Sequence, residues 1–246
     1  MGGGTAIRSL KSLPVFDPLK RAAKLLSEPR FDPKKREVIA AEFARCVTVD
    51  DCIAFTRRHM GGGACQKEAE IARALDVIAT TRPTTFCEIG TSEGGTSLLV
   101  TKFLPTLETM LCLDLYVKNK ALLRLLKPPE LDIRFCEMSS HSDQAVHVAQ
   151  QAISSHTIDV LFIDGDHRYQ GVKEDFHRFS PLVREGGLIM FHDIVQEKPG
   201  TDAWAGGVPQ FWRETSPRFK HQEIVEDYDQ SGFGIGILEW RNPANL

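Results

Sequence analysis

No apolar run in the 246 residues approaches the roughly 20 that a membrane-spanning helix needs, so no transmembrane segment is expected. Met1 to Leu13 lack the continuous apolar stretch and small-residue cleavage site of a secretory leader. Gly2 follows Met1, but Ala6 stands where the myristoylation pattern needs Ser or Thr. None of Cys46, Cys52, Cys65, Cys87, Cys112 and Cys136 forms a Cys-x-x-Cys pair. The last three sit in apolar runs and read as small buried hydrophobes with reduced thiols, which predicts a cytoplasmic protein. There is no internal repeat or low-complexity tract. No basic stripe is interleaved with aromatics, so nucleic acid is not an expected partner.

The composition that remains is that of a globular protein, 42% hydrophobic and 26% charged. The length suits one α/β domain with a modest extension. The net charge of −3 conceals an asymmetry: the first sixty residues carry twelve Lys or Arg against seven Asp or Glu. Solvated helix faces explain such a basic arm more simply than an anionic surface does.

Asp17-Pro18 and Asp32-Pro33 each place an N-cap acid before a Pro at the first helical position. They predict helices near 18–28 and 33–46. Thr48 with Asp51 three residues on opens a third, 48–59, close to a capping box. The run from Met60 through three glycines to Ala64 is either a hinge or a plain connector. A helix from Gln66 to Thr80 follows, with Ile71, Leu75 and Ile78 at helical spacing. Residues 1–65 thus read as an N-terminal helical cap and 66–246 as the main domain.

From Thr84 the rhythm changes. Five short runs, TTFCEIG, MLCLDLY, LDIRFCEM, IDVLFIDG and GGLIMFH, alternate with helical stretches. They are apolar throughout, as strands covered on both faces must be, and read as a parallel, doubly wound Rossmann-like sheet. A short helix near 207–215 and strands near 220–226 and 233–239 follow, the strands an antiparallel hairpin at the sheet edge.

Ligands of such sheets bind outside the carboxyl ends of the strands. The first strand ends in Glu88-Ile-Gly90-Thr-Ser-Glu-Gly94-Gly95-Thr-Ser97, where glycines permit a tight turn and close approach of a ligand. This is not Gly-x-Gly-x-x-Gly, and no Lys-Ser/Thr follows, which weakens the dinucleotide and P-loop readings. Glu88 is repulsive to a pyrophosphate and suits a cationic ligand. Asp114 closes the second strand, where an acid can accept from both ribose hydroxyls of an adenosine. Glu137-Met-Ser-Ser140 closes the third, a place for the base.

Glu88-x-Gly90-x-x-x-Gly94-Gly95 with Asp114 resembles the first motifs of class I S-adenosylmethionine-dependent methyltransferases. The stretch from Phe162 to Ile194, FIDGDHRYQGVKEDFHRFSPLVREGGLIMFHDI, resembles the family grouping cephalosporin-hydroxylase-like proteins with sugar and antibiotic O-methyltransferases. The similarity covers roughly 66–240 and implies a seven-strand sheet of order 3-2-1-4-5-7-6 with an antiparallel last strand. It implies that S-adenosylmethionine is held by Glu88, Gly90, Thr91, Ser92, Gly94, Gly95, Thr96, Ser97, Asp114, Leu115, Ser139 and Asp164. It further implies a divalent metal, Mg²⁺ or Mn²⁺, on Asp164, His192 and Asp193. His192 stands where the family carries an acid, and an imidazole shifts preference away from Mg²⁺; hydrogen bonding to nearby backbone is its other reading.

Methyl transfer needs an acceptor aligned with the sulfonium and a base for the leaving proton. His167 is the first candidate for that base and Asp166 the second. The other six histidines occupy helix or surface contexts. Gln66 and Lys67 open the helix before the first strand, where the family contacts cofactor or substrate. Phe211 and Trp212 suit either an acceptor pocket or a helix core, and Tyr116 is placed to cover an adenosine face. The function expected is O-methylation of a small hydroxylated acceptor, a sugar or natural product. The alternatives are a nicotinamide-dependent oxidoreductase and a non-catalytic cofactor-binding module. The N-terminal helices are a candidate surface for a homo-oligomer.

Overall fold

A strand buried on both faces needs apolar side chains at odd and even positions alike, and β1 (Thr85–Ile89) is buried at all five. The computed structural model describes residues 33–62, 64–153, 157–201 and 204–242; the helix expected near 18–28 lies outside them. The other strands are β2 (Thr109–Asp114), β3 (Asp132–Glu137), β4 (Ile158–Ile163), β5 (Val183–His192), β6 (His221–Ile224) and β7 (Ile235–Glu239). They form one sheet of order β3-β2-β1-β4-β5-β7-β6. β7 runs antiparallel to β5 and β6, and the pairs among β1 to β5 are parallel. β3, an edge strand, departs from the all-apolar pattern: Asp132 and Arg134 are exposed and pair with each other at 2.7 Å.

The described helices are α1 (Pro33–Arg45), α2 (Val49–His59), α3 (Glu68–Thr80), α4 (Gly95–Phe103), α5 (Lys120–Leu126), α6 (Asp143–Ile153), α7 (Tyr169–Phe179) and α8 (Val208–Thr215). Alternate strand residues feed two separate cores. Met110, Cys112, Val160 and Phe162 join a cluster holding Phe43 and Ile53 of α1 and α2 with Ile71, Leu98 and Leu123. Leu111, Leu113, Leu161 and Ile163 join the other, with Phe176, Phe191, Trp212 and Trp240. The described part of the expected cap therefore shares the first core. α2 begins with a full capping box: the Thr48 hydroxyl accepts the Asp51 N–H at 3.1 Å, and the Asp51 carboxylate accepts the Thr48 N–H at 2.9 Å. After α2, Met60 is buried, and its carbonyl accepts from Asn119 at 3.0 Å. No described helix is long and apolar enough to cross a membrane.

The strand order reverses between β1 and β4, so the crevice for a ligand opens above their carboxyl ends.

Candidate active site

At that reversal the backbones after β1 and β4 nearly touch. Gly90 has φ +95°, and a Cβ there would stand 2.0 Å from the Asp164 carbonyl oxygen. The Gly90 N–H donates to the Leu113 carbonyl at 2.8 Å, and the Asp164 N–H donates to the Ile89 carbonyl at 2.8 Å. Only glycine allows this approach. Beneath the loop, Glu88 is 2% exposed and accepts from the Ser97 hydroxyl. Burial pushes its pKa up to about 8, against the lowering effect of Ser97. Glu88 and Ser97 therefore face each other under the loop and do not line the cavity above it.

That cavity holds about 780 Å³, within the range of small-molecule and cofactor sites. Gly90, Thr91, Ser92, Gly95 and Thr96 form one side. Asp114 stands beside it with its carboxylate fixed, Oδ2 accepting from the Ser92 N–H at 2.7 Å and Oδ1 from the Tyr116 N–H at 3.0 Å. Leu115, next along, is 52% exposed. Glu137 is engaged with the Val117 N–H at 3.2 Å and Lys120 at 2.8 Å. The Ser139 hydroxyl accepts the His141 N–H at 3.3 Å. The Lys120 ammonium lies 5.2 Å from the Tyr116 ring centre.

The remaining lining includes Asp164, His167, His192 and Asp193, delivered by the ends of β4 and β5. Asp164 Oδ1 lies 3.1 Å from His192 Nδ1 and 3.4 Å from His167 Nε2. Its Oδ2 accepts from Gln66 Nε2 at 2.7 Å, and Gln66 Oε1 accepts from the Thr96 hydroxyl at 2.8 Å. Asp193 Oδ2 lies 3.3 Å from His167 Nδ1 and 3.5 Å from His192 Nδ1. His167 Nδ1 also donates to the Trp204 carbonyl at 2.5 Å. Burial opposes charge on His167, but the Asp164 hydrogen bond, its charge and the Trp204 carbonyl lift its pKa to about 9. Burial likewise opposes ionisation of Asp164, and the two imidazoles outweigh it, holding the carboxyl at about 2. His192 is 4% exposed, and its Nε2 has no hydrogen-bond partner. Asp193, at φ +60°, is held left-handed while its Oδ1 accepts the Phe233 N–H at 2.9 Å. Phe233 is left-handed too, at φ +61°.

Asp164, His167 and Asp193 offer ligand atoms all within 4.8 Å of one another. His167, expected only as a base, thus joins the set expected to hold a metal. Asp166 does not line the cavity; its carboxylate accepts from the Arg168 backbone N–H and guanidinium at 3.0 Å. Phe211 and Trp212 lie in the second core, 4% and 1% exposed, with no part in the cavity lining. Its aromatic lining comes instead from Trp204 and Phe233, which sequence reasoning missed. Trp204 sits in a turn-rich stretch with no period to mark it, and Phe233, expected to open the last strand, instead precedes it by two residues. The one available signal was a lone Trp in the polar segment after Asp193.

Residues 87–194, from within β1 to just past β5, match the model of a methyltransferase-domain family. An uncharacterised protein of Acanthamoeba polyphaga mimivirus is 28% identical over 128 residues, 44% of this chain and 51% of that protein. One of Sinorhizobium fredii is 29% identical over 93 residues, 36% of this chain and 9% of its own length. The chain thus spans about half the length of the first and a small part of the second. Among solved structures, the O-methyltransferase TomG of Streptomyces achromogenes, in complex with SAM, superposes with a TM-score of 0.55 at 16% identity. The match covers 85% of this chain and 99% of TomG. An O-methyltransferase of Bacillus cereus, in complex with SAH, gives 0.54 at 13% identity, over 91% and 97% of the two chains. The chain therefore has the fold of class I S-adenosylmethionine-dependent methyltransferases, and its residues 87–194 are similar to a methyltransferase-domain family.

Proposed function

We propose that this chain transfers a methyl group from S-adenosylmethionine to a hydroxyl of a small molecule, a sugar or natural product. The observation that carries the reading is one cavity with a glycine-built side and a His/Asp cluster among the rest of its lining. A nucleoside fits the first: Gly90 and Gly95 present bare backbone, and Asp114 keeps lone pairs free for ribose hydroxyls beyond its two backbone donors. S-adenosylmethionine, when bound, supplies a methyl carbon already activated by its sulfonium. The task left to the chain is alignment and proton removal. His167 Nε2 is the proton acceptor in this reading only in its neutral form. A pKa of about 9 makes that the minor form at neutral pH, so turnover should rise with pH toward 9. The Trp204 carbonyl keeps the proton on Nδ1, and Asp164 steadies the imidazolium. Gln66, tied to Thr96, fixes the Asp164 carboxylate.

The donor set also fits a divalent cation, since two carboxylates and two imidazoles converge and one buried imidazole nitrogen lacks a partner. Asp164, His167 and Asp193, with His192 beside them, would hold it, His167 then serving as a ligand in place of the base, and it would lower the pKa of the acceptor hydroxyl. A nicotinamide reading has less support, because the loop lacks the second glycine of the dinucleotide pattern.

Titration calorimetry tests the cofactor. Micromolar S-adenosylmethionine binding is expected, weakened at least about 10-fold in Asp114→Ala by loss of hydrogen bonds to a charged acceptor, with no heat from NAD. Binding of NAD and none of S-adenosylmethionine would sink the reading.

A further inference from the structure

Where large apolar side chains are concerned, the informative ones are those a fold leaves exposed. Of the three tryptophans, Trp212 and Trp240 are 1% and 5% exposed, whereas Trp204 is 81% exposed while lining the cavity. Its backbone is not loosely held. The Trp204 carbonyl accepts from His167, the next residue, Ala205, is fully buried, and the Gly207 N–H donates to the His167 carbonyl at 2.7 Å. A Cβ on Gly206 would stand 2.5 Å from that same carbonyl. The indole is thus presented by an anchored backbone. The cavity's other aromatic, Phe233, is kept in a left-handed conformation that costs a non-glycine residue about 1 kcal/mol or more. Such strain persists where the surroundings enforce it, and here its N–H serves Asp193.

The hydroxyl side chains beside these aromatics are already committed. The Thr201 and Ser231 hydroxyls bond each other at 2.6 Å, Thr201 donates to the Lys198 carbonyl at 2.8 Å, and Ser231 accepts the Lys198 N–H at 2.9 Å. A sugar entering here would desolvate several hydroxyls against groups that are already paired, and each unpaired one costs affinity. A planar ring needs no such partners. It can stack on the indole and present one hydroxyl to the His/Asp cluster.

We infer that the acceptor is an aromatic ring carrying the hydroxyl, a phenol stacked on Trp204, and not a sugar. This rests on the methyl-transfer reading for its chemistry but predicts binding that is measurable without it. In the reaction the phenol oxygen takes the methyl carbon, the sulfonium keeps the bonding pair of the broken S–C bond, and the phenolic proton leaves to the base.

The test uses para-cresol and methyl glucoside as probes of full-length protein, with and without S-adenosylhomocysteine. Acrylamide quenching reports Trp204, since the other two indoles are buried. Para-cresol should protect the accessible emission, and labelled methyl should pass to it from S-adenosylmethionine in preference to methyl glucoside. Trp204→Ala should weaken para-cresol, measured by calorimetry, by about 10-fold, the loss of one stacking partner. Cofactor affinity should not change, and Trp204→Phe should recover most of the loss. Equal or better protection or methylation with methyl glucoside, no protection by para-cresol, or an unaltered affinity in Trp204→Ala would each overturn the inference. Failure of S-adenosylmethionine to bind the unaltered protein is a separate result, and it strikes the methyl-transfer reading alone.

Discussion

Buried under the glycine loop with Ser97 as its donor, Glu88 keeps its proton up to about pH 8. An unfolded Glu titrates near about 4.3, so the folded pKa is the higher of the two. Its contribution to stability is full below the unfolded value, declines as pH rises, and is lost through about 8. The melting temperature of cofactor-free protein should therefore fall between about pH 4 and 8, and Glu88→Gln should flatten that fall. A Gln variant with an unaltered slope would assign the effect elsewhere. The sequence pattern marked Glu88 as a carboxylate aimed at a ligand. What it lacked was the partner, since nothing in the spacing of Glu88 and Ser97 says that β1 and α4 turn them toward each other. Asp164, His167 and Asp193 were legible because their motif is local to two strand ends. Gln66 was legible only as a position, and its bridge between Thr96 and Asp164 needs contacts 30 and 98 residues away along the chain.

Element boundaries followed the local chemistry wherever a cap was present. Thr48 and Asp51 predicted the start of α2, and the reciprocal hydrogen bonds are there. Thr48→Ala should lower unfolding free energy by about 1 kcal/mol in urea titration, with the slope unchanged. No change would mean that the first turn is held by packing alone. β3 shows the opposite case. Its run was read as apolar throughout, yet as an edge strand it alternates, with Asp132 and Arg134 turned to solvent. Edge status is a property of the sheet, so a single strand cannot declare it.

Among the described residues, the sheet divides two separate clusters of buried apolar side chains. The second is dense in aromatics: Phe176 meets Phe191, Phe211, Phe219 and Trp240 with ring centres 5.6 to 6.3 Å apart. Trp212 closes its outer end, with ring atoms within 2.7 Å of where a Cβ on Gly236 of β7 would stand, and its Nε1 donates to Glu223 at 2.6 Å. Trp212→Ala should cost about 3–5 kcal/mol by chemical denaturation. A loss under about 1 kcal/mol would show that α8 repacks freely. Sequence periodicity gave the five parallel strands, but the choice of Trp212 for the core and Trp204 for the cavity came only with the packing of α8.

The connection from β5 to α8 is fastened at both ends. Val195 donates to the Phe233 carbonyl at 3.0 Å near its start, and Gly207 donates to the His167 carbonyl at its finish. Between these points its described residues bond to the turn before β7, Lys198 and Thr201 to Ser231, and to His167 through the Trp204 carbonyl. Side chains along it, Trp204 foremost, can change and with them the choice of acceptor, so long as a backbone carbonyl stays at position 204 to hold the proton acceptor in place.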